Sequence, residues 1–249
     1  MEQHKRLTIM GHLREVRRRL LVCVIAVTLT TGASFFFVPQ VFDFFKSRAP
    51  EDVTLIFTGV TEMLGAYIRV ALYCGIALAL PFIIYQVVMF VAPALTRTEK
   101  RYVYTLLPGA ALFFITGVGF AYFILLPPAL NFLLTFGRDI AEPMISIGNY
   151  TSVLVKLIFW IGVVFEIPLV MYFLGKLRVV SPGWLLRKWK WSFLGAFLLG
   201  AIITPTMDPV NQTLVALPIV VLYLVGILLV WISQPSKKRV ALPEAQAEP

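Results

Sequence analysis

Six long apolar runs divide the chain, and most come close to the length that a membrane-spanning helix needs. A helix crosses a hydrocarbon core of about 30 Å with roughly 20 apolar residues. None of the runs alternates between apolar and polar positions, as the strands of a membrane barrel do. The pattern therefore predicts an all-α integral membrane protein with six transmembrane helices in a single domain, residues 1–249. These helices occupy residues 20–38, 64–94, 106–126, 152–175, 191–204 and 213–232.

The composition agrees with lipid as the solvent of these helices. Hydrophobic residues make up 59% of the 249 residues, charged residues make up 14%, and the mean hydropathy is +0.85. A water-soluble domain of this length needs far less apolar surface. The formal net charge of +9 suits helix ends at a membrane surface, where anionic lipids attract Lys and Arg. No nucleic-acid-binding motif accompanies this charge, so we expect no nucleic-acid partner.

The distribution of Lys and Arg predicts the orientation of the helices. Seventeen of the 22 basic residues lie before the first run, between runs two and three, between runs four and five, or after the last run. Cytoplasmic flanks of membrane helices are enriched in these residues, so both termini are predicted to be cytoplasmic. The N-terminal region lacks the features of a cleaved signal peptide. We therefore expect a multi-pass protein of the bacterial cytoplasmic (inner) membrane.

Prolines and one short run predict that the helices are not straight rods. A proline inside a helix removes a hydrogen bond and can kink the helix. The fifth run has 14 residues, which span about 21 Å at 1.5 Å per residue. We therefore predict kinked helices that form a concave face, with short fifth and sixth helices. The prolines in question are Pro81, Pro108, Pro168 and Pro218.

The segments outside the runs have distinct characters. Residues 8–20 have apolar positions at helical spacing opposite several arginines, which predicts an amphipathic helix along the inner membrane surface. The long segments 39–61 and 127–151 are expected to form an ordered cap on the outer side. Residues 236–249 are expected to be a flexible tail.

The sequence offers no constellation for catalysis, metal binding or a cofactor. It has no phosphate-binding loop, no zinc helix and only two histidines, His4 and His12, both in the basic N-terminal segment. Cys23 and Cys74 lie inside apolar runs without metal or redox spacing. We therefore expect neither an enzyme nor a cofactor-binding protein.

Three charged residues interrupt the apolar runs. Glu166 lies near the middle of the fourth run, where a carboxyl group is costly and usually functional; the alternative is a buried acid that a neighbouring helix satisfies. Pro168 can open the helix beside it and expose carbonyl groups to the same polar cavity. Arg69 and Lys156 lie within about two turns of the outer ends of their runs, where snorkelling to lipid headgroups is expected.

Two acids stand out on the basic side of the membrane. Glu15 and Glu99 are the predicted cytoplasmic acids that lie close to helices. Carboxylates bind guanidinium groups through paired hydrogen bonds, so these two could receive two arginines of a cationic peptide. The alternative left open is that Glu15 pairs within its own helix and Glu99 pairs with Lys100 or Arg101.

The residues around these acids resemble the TatC family, the multispanning subunit of the twin-arginine protein translocase. Residues 12–20, HLREVRRRL, are similar to the family signature HLxELRxRL, with Val16 as the one departure. Residues 90–95, FVAPAL, with Glu99 and Lys100 after them, resemble a second family motif. Residues 165–168, FEIP, and 204–212, TPTMDPVNQ, extend the resemblance. Many members carry an acid after the Leu-Tyr pair of the last helix, where this chain has Leu224.

The resemblance implies a receptor for the twin-arginine signal peptides of folded precursor proteins. Such a receptor works with the single-span subunits TatA and TatB, and with other copies of itself, and is driven by the proton gradient. The resemblance also assigns roles by position. It implies a signal-peptide surface at Glu15, Arg17, Phe90, Pro93, Leu95, Glu99 and Lys100; an intramembrane polar centre at Glu166 and Pro168; and a partner-docking region at Thr204, Pro205, Asp208 and Gln212.

Two other classes of function stay open at this level. A proton-coupled secondary transporter for a small solute could use Glu166 as its titrating group, although no internal repeat supports that fold. An intramembrane hydrolase could use Glu166 or Asp208 as an acid, but it would lack a second carboxylate or a metal-ligand set inside the helices.

Overall fold

The protein is described by a computed structural model. It describes residues 9–48, 55–56, 58–91, 97–136, 144–204 and 208–234, and the side chains of these residues except 9–10, 12, 91 and 97–106. The elements in chain order are α1 (Ile9–Ser34), a 3-10 turn (Phe35–Phe37), α2 (Val38–Lys46), β1 (Leu55–Ile56), α3 (Glu62–Val91), α4 (Arg97–Phe120), a π turn (Ala121–Leu125), α5 (Leu126–Thr135), β2 (Ile145–Ser146), α6 (Ile147–Val164), α7 (Ile167–Lys176), α8 (Pro182–Arg187), α9 (Trp189–Ile203) and α10 (Pro209–Ser233).

The prediction of an all-α membrane protein with six spans is confirmed. Within the part of the chain that the structure describes, five helical stretches are long and apolar enough to cross a bilayer, and Trp189–Ile203 is a shorter apolar helix. The short fifth span is therefore present. The predicted short sixth span is wrong, because α10 has 25 residues. The capping side chain of Asp208 starts α10 one turn before the apolar run begins.

Two helix boundaries differ from the prediction. We expected a separate surface helix over residues 8–20, whereas α1 continues through residue 20 without a break, from Ile9 to Ser34. No glycine or proline lies between residues 12 and 31, and Leu and Arg, which are frequent around residue 20, propagate a helix readily. The fourth span is instead divided, because α6 ends at Val164 and α7 begins at Ile167. Pro168 lies in the first turn of α7, where its missing N–H costs nothing.

Helix α6 is the centre of the bundle. It packs against α3 on one side and α4 on the other, while α1 packs on α3, and α10 packs on α7 and α9. Leu154 and Ile161 of α6 are completely buried. A Cβ atom at Gly117 of α4 would lie 2.9 Å from the Gly162 Cα of α6, so these two helices approach closely. Small residues allow such contacts between membrane helices.

The described parts of the predicted cap, residues 39–61 and 127–151, are ordered at one end of the bundle, and residues 49–54, 57 and 137–143 of it lie outside the described residues. There, α2 and α5 lie beside a two-stranded parallel sheet in which Leu55 pairs with Ile145 and Ile56 pairs with Ser146. We call this the cap end. The opposite end, which carries Arg14–Arg19 and the beginning of α4, we call the basic end.

Candidate functional site

A polar junction joins α1 and α3 at the basic end. The Oε1 atom of Glu15 accepts hydrogen bonds from Nε (3.0 Å) and Nη2 (2.6 Å) of Arg19. The same guanidinium donates from Nη1 to Oε1 of Gln86, at 3.1 Å. Residues four apart share a helix face, so the Glu15–Arg19 pair forms within α1. Gln86 then ties this pair to α3.

The junction leaves one oxygen of the Glu15 carboxylate available for a further hydrogen bond. Both hydrogen bonds to Glu15 end on Oε1, and within the described side chains Oε2 has no partner. The Glu15 side chain is 25% exposed, so the open oxygen can be reached from outside. A second guanidinium could therefore add to the junction without displacing Arg19. The pairing of Glu15 within its own helix is the alternative that the sequence left open, and here it coexists with an accessible acceptor.

The surface beside the junction is both cationic and apolar. Arg17 is exposed, as are Arg14 and Arg18. Leu13 and Leu20 are also exposed. An extended peptide with arginines followed by an apolar segment would meet acceptor, cationic and apolar groups within three helical turns.

The second predicted part of this site lies at the junction of α3 and α4. Phe90 is half-buried and lies four residues after Gln86, on the same face of α3. Glu99 and Lys100 lie in the first turn of α4, which is described by its backbone. Pro93 and Leu95 lie outside the described residues.

Gln86 is the residue that sequence reasoning missed. It is the only side-chain amide in the second apolar run, and it precedes the Phe90 motif by one helical turn. That position was a usable signal, because an amide in an apolar helix usually has a polar partner. Its partner could not be deduced, since Arg19 is 67 residues away in the chain.

Glu166 occupies the break between α6 and α7. Its side chain is only 6% exposed. Neither carboxyl oxygen has a hydrogen-bond partner among the described residues, so the alternative of an acid satisfied by a neighbouring helix is wrong within them. Pro168 is almost fully buried, and the ring of Phe165 lies 5.3 Å from that of Phe120. An isolated carboxyl group in such apolar surroundings is costly, which marks a functional candidate.

The predicted docking residues stabilise the hairpin between α9 and α10. Oδ1 of Asp208 accepts from the backbone N–H of Asn211 at 2.7 Å and so caps α10. Gln212 donates from Nε2 to the carbonyl of Phe197 in α9 at 3.0 Å. The buried Thr204 hydroxyl donates to the Gly200 carbonyl at 2.9 Å. Pro205 lies outside the described residues. Thr204 and Asp208 therefore cap the two helix ends of the hairpin, and Gln212 joins α10 to α9. The exposed large side chains of the hairpin are mainly apolar.

An apolar groove adjoins this hairpin. It encloses about 720 Å³ between the π turn, α5 and the first half of α10. Phe120, Ile124 and Pro128 form one wall, and Val210 and Leu217 belong to the other. Val210 and Leu217 of α10 line the groove and are also exposed, as are Leu198 and Ile202 of α9.

Comparisons with known proteins agree on one family. Residues 11–218 match the family model described as "Sec-independent protein translocase protein (TatC)". A TatC protein of Aquifex aeolicus is 39% identical over 92% of this chain and 97% of its own length. One of Koribacter versatilis is 34% identical over 96% of this chain and 90% of its own length. A solved structure described as "Crystal Structure of Twin Arginine Translocase Receptor- TatC" superposes with a TM-score of 0.80 at 39% identity, covering 89% of this chain and 99% of that one.

Proposed function

Because this chain belongs to the TatC family of Sec-independent protein translocase proteins, which are not enzymes, we propose that it is the receptor for twin-arginine signal peptides. In this role it binds the signal peptides of folded precursors at its basic end. It then serves as the core of a complex with TatA- and TatB-type subunits, and the proton gradient drives export. The observation that carries the proposal is the Glu15–Arg19–Gln86 junction with its open Glu15 oxygen.

The first step is recognition of the paired arginines. One guanidinium binds Oε2 of Glu15, and the second binds Glu99 at the start of α4. A carboxylate distinguishes guanidinium from ammonium because it accepts two parallel N–H bonds from arginine. Arg17 and Lys100 bind lipid phosphates beside the site. Glu15 and Glu99 therefore stay available to accept hydrogen bonds from the arginines of the precursor. Phe90, Pro93 and Leu95 shape the surface around them.

The second step is insertion of the apolar part of the signal. We infer that this segment follows the exposed apolar residues of α1 into the bilayer and approaches Glu166. The isolated carboxyl group supports this step, because a buried acid without an internal partner can gain one from an incoming peptide. Pro168 prevents α6 and α7 from joining into one continuous helix at this position.

Partner subunits bind a different surface. We infer that the single-span helices of TatA- and TatB-type subunits pack on the α9–α10 hairpin and its adjoining groove. Membrane helices associate through van der Waals packing, and the outer face of this hairpin is apolar with Leu198, Ile202 and Leu217 exposed. Asp208 and Gln212 maintain the shape of the surface and do not act as direct ligands. Other copies of this chain use the same apolar region or a neighbouring one.

The orientation follows the distribution of charge. We infer that the basic end faces the cytoplasm of a bacterium and that the cap end faces outward, since 17 basic residues lie in segments of one side. Both termini are then cytoplasmic, and the precursor meets the junction before it meets the membrane.

Photocrosslinking to this chain from a photoreactive residue placed beside the paired arginines of a precursor tests recognition. Glu15→Gln and Glu99→Gln should each lower crosslinking of a twin-arginine precursor, and the double variant should lower it at least tenfold. A tenfold loss corresponds to about 1.4 kcal/mol, which is within the range for a charge-assisted hydrogen bond.

Glu244→Gln is the matched control, because it also removes one acid from the predicted cytoplasmic side, in the tail after the last span. A lysine-substituted precursor gives the second comparison. Unchanged crosslinking in both Glu15 and Glu99 variants, or equal crosslinking of the lysine precursor, would refute the binding site.

A secondary transporter is the alternative that the isolated Glu166 favours. It predicts uptake of a small solute by this protein alone in liposomes with a proton gradient. We expect no Glu166-dependent uptake under these conditions, and uptake that Glu166→Gln abolishes would support the transporter.

A further inference from the structure

Two basic residues, one on α3 and one on α6, lie in the half of the bundle nearest the cap end. Arg69 lies seven residues after the start of α3 at Glu62, and Lys156 lies nine residues after the start of α6 at Ile147. At 1.5 Å per residue these positions are about 10 and 13 Å below the helix ends. Both residues therefore lie within the leaflet at the cap end.

A hydrogen-bonded serine holds one of these cations against the other helix. Nη1 of Arg69 donates to Oγ of Ser152 in α6, and Ser152 donates in turn to the carbonyl of Gly148. Ser152 and Lys156 are four residues apart and share a face of α6. These two hydrogen bonds, from Arg69 to Ser152 and from Ser152 to Gly148, thus hold the Arg69 guanidinium against the side of α6 that carries Lys156. Free snorkelling would leave the guanidinium without this fixed partner.

An aromatic pair closes the space one turn deeper. Tyr73 follows Arg69 by one turn of α3, and Phe159 follows Lys156 by one turn of α6. Their rings meet edge to face at a centroid distance of 5.1 Å. The basic pair therefore lies one turn above an aromatic contact that joins α3 and α6, and we call the surface between these two helices above that contact the groove.

The described side chains supply no anion for this pair. The one ion pair among them joins Glu15 and Arg19 at the opposite end. Glu62 is the acid at the start of α3, and its oxygens accept hydrogen bonds from Thr58, Gly59, Ser146 and Gly148. Arg69 is exposed and Lys156 is half-buried, so two positive charges stand at the surface of the bundle without a counter-charge among the described side chains.

We propose that Arg69, Ser152 and Lys156 form a binding site for the phosphate group of an anionic phospholipid in the leaflet at the cap end. Arginine binds phosphate through its planar donors, and lysine adds a point charge. Ser152 positions the guanidinium and leaves its other N–H groups for the phosphate. The long basic side chains span the distance from the groove to the headgroup region. One acyl chain then lies over Tyr73 and Phe159.

This site is testable with full-length protein in nanodiscs that contain a photoreactive phosphatidylglycerol. Crosslinks are mapped to the peptides that contain residues 62–91 and 147–164. R69Q/K156Q should lower labelling of these peptides at least fivefold, because both charges that hold the phosphate are removed. Labelling of the basic end should not change.

K46Q/R48Q is the matched control, because it also removes two positive charges at the cap end but leaves the groove intact. R69K/K156R keeps both charges and should retain most of the labelling, which separates loss of the site from loss of the fold. Excess inorganic phosphate should not compete, since the proposal requires the acyl chains as well.

Three results would overturn the proposal. The first is unchanged labelling in R69Q/K156Q. The second is equal labelling by a photoreactive phosphatidylcholine. The third is competition by inorganic phosphate, which would indicate a general anion site.

Discussion

Glu62 shows how one side chain can organise the cap end. Its Oε2 accepts from the backbone N–H of Thr58 at 2.7 Å, and its Oε1 accepts from the backbone N–H of Gly148 at 2.7 Å. The hydroxyl of Ser146 also donates to Oε1. One carboxylate thus connects the segment before α3 to the segment before α6, next to the two paired strands.

Replacing Glu62 with Gln should loosen this connection. An amide has one acceptor oxygen, and its NH₂ group would face backbone donors, so at least one donor loses its partner. We expect a lower thermal unfolding midpoint, because a hydrogen-bond donor loses its partner, and faster hydrogen exchange at Gly148. Asp43→Asn is the control, since Asp43 is an exposed acid in the neighbouring α2. Unchanged exchange at Gly148 would show that the carboxylate is not needed.

Gln86 gives a residue-scale test that separates stability from recognition. Gln86→Leu removes the bond from α3 to Arg19 but keeps the Glu15–Arg19 pair. Because that pair is partly exposed, we expect a change of less than about 1 kcal/mol in stability. Precursor crosslinking should fall about three- to tenfold, since Glu15 is no longer held in register with α3. A variant with normal crosslinking and lower stability would assign Gln86 a purely structural role.

At the scale of elements, the contact between α4 and α6 depends on glycine. A Cβ at Gly117 would lie 2.8 Å from the Cβ and Cγ atoms of Phe165 and 2.9 Å from the Gly162 backbone. Phe165 immediately precedes Glu166, so this contact also positions the break between α6 and α7. The break therefore results from Pro168 and from close packing on α4 together.

Gly117→Ala should destabilise the protein by about 1–3 kcal/mol, because the backbone of α6 must move to admit the new methyl group. Gly119→Ala on the same helix is the control, since a Cβ there meets nothing within 4 Å. Both changes raise helix propensity equally, so the difference between their thermal unfolding midpoints reports the contact alone. Equal midpoints would contradict the close approach.

Element boundaries also show the limits of sequence reasoning. The apolar runs predicted the order of the spans and the short α9, because a bilayer imposes length and hydropathy on each helix separately. The continuity of α1 and the start of α10 at Pro209 were not predicted. Both depend on residues outside the apolar runs, where hydropathy carries no information about helix ends.

At the scale of the whole molecule, the orientation predicts which surfaces face the cytoplasm. Val60 is fully exposed at the cap end. A Val60→Cys variant should therefore react with a membrane-impermeant maleimide in spheroplasts. Ser236→Cys in the tail should react only after the membrane is opened. The native Cys23 and Cys74 lie within spans, so Cys23→Ala and Cys74→Ala give the background strain. The reverse pattern would invert the proposed orientation.

The sequence by itself determined the all-α membrane class, the number and order of the spans and the resemblance to the TatC family. Hydropathy, charge and motifs are local properties, and each can be read without knowing which helices touch. The sequence also singled out Glu15, because it is an acid on the basic side of the membrane, and Glu166, because a carboxyl group inside an apolar span is costly. The tertiary structure decided their surroundings. Gln86 bonds the Arg19 that pairs with Glu15, and Phe120 and Gly117 pack against the Phe165 that precedes Glu166, all from distant parts of the chain. Likewise, only packing of α3 on α6 places Arg69 beside Ser152 and Lys156, since the separation of 83 residues between Arg69 and Ser152 leaves no trace in local sequence.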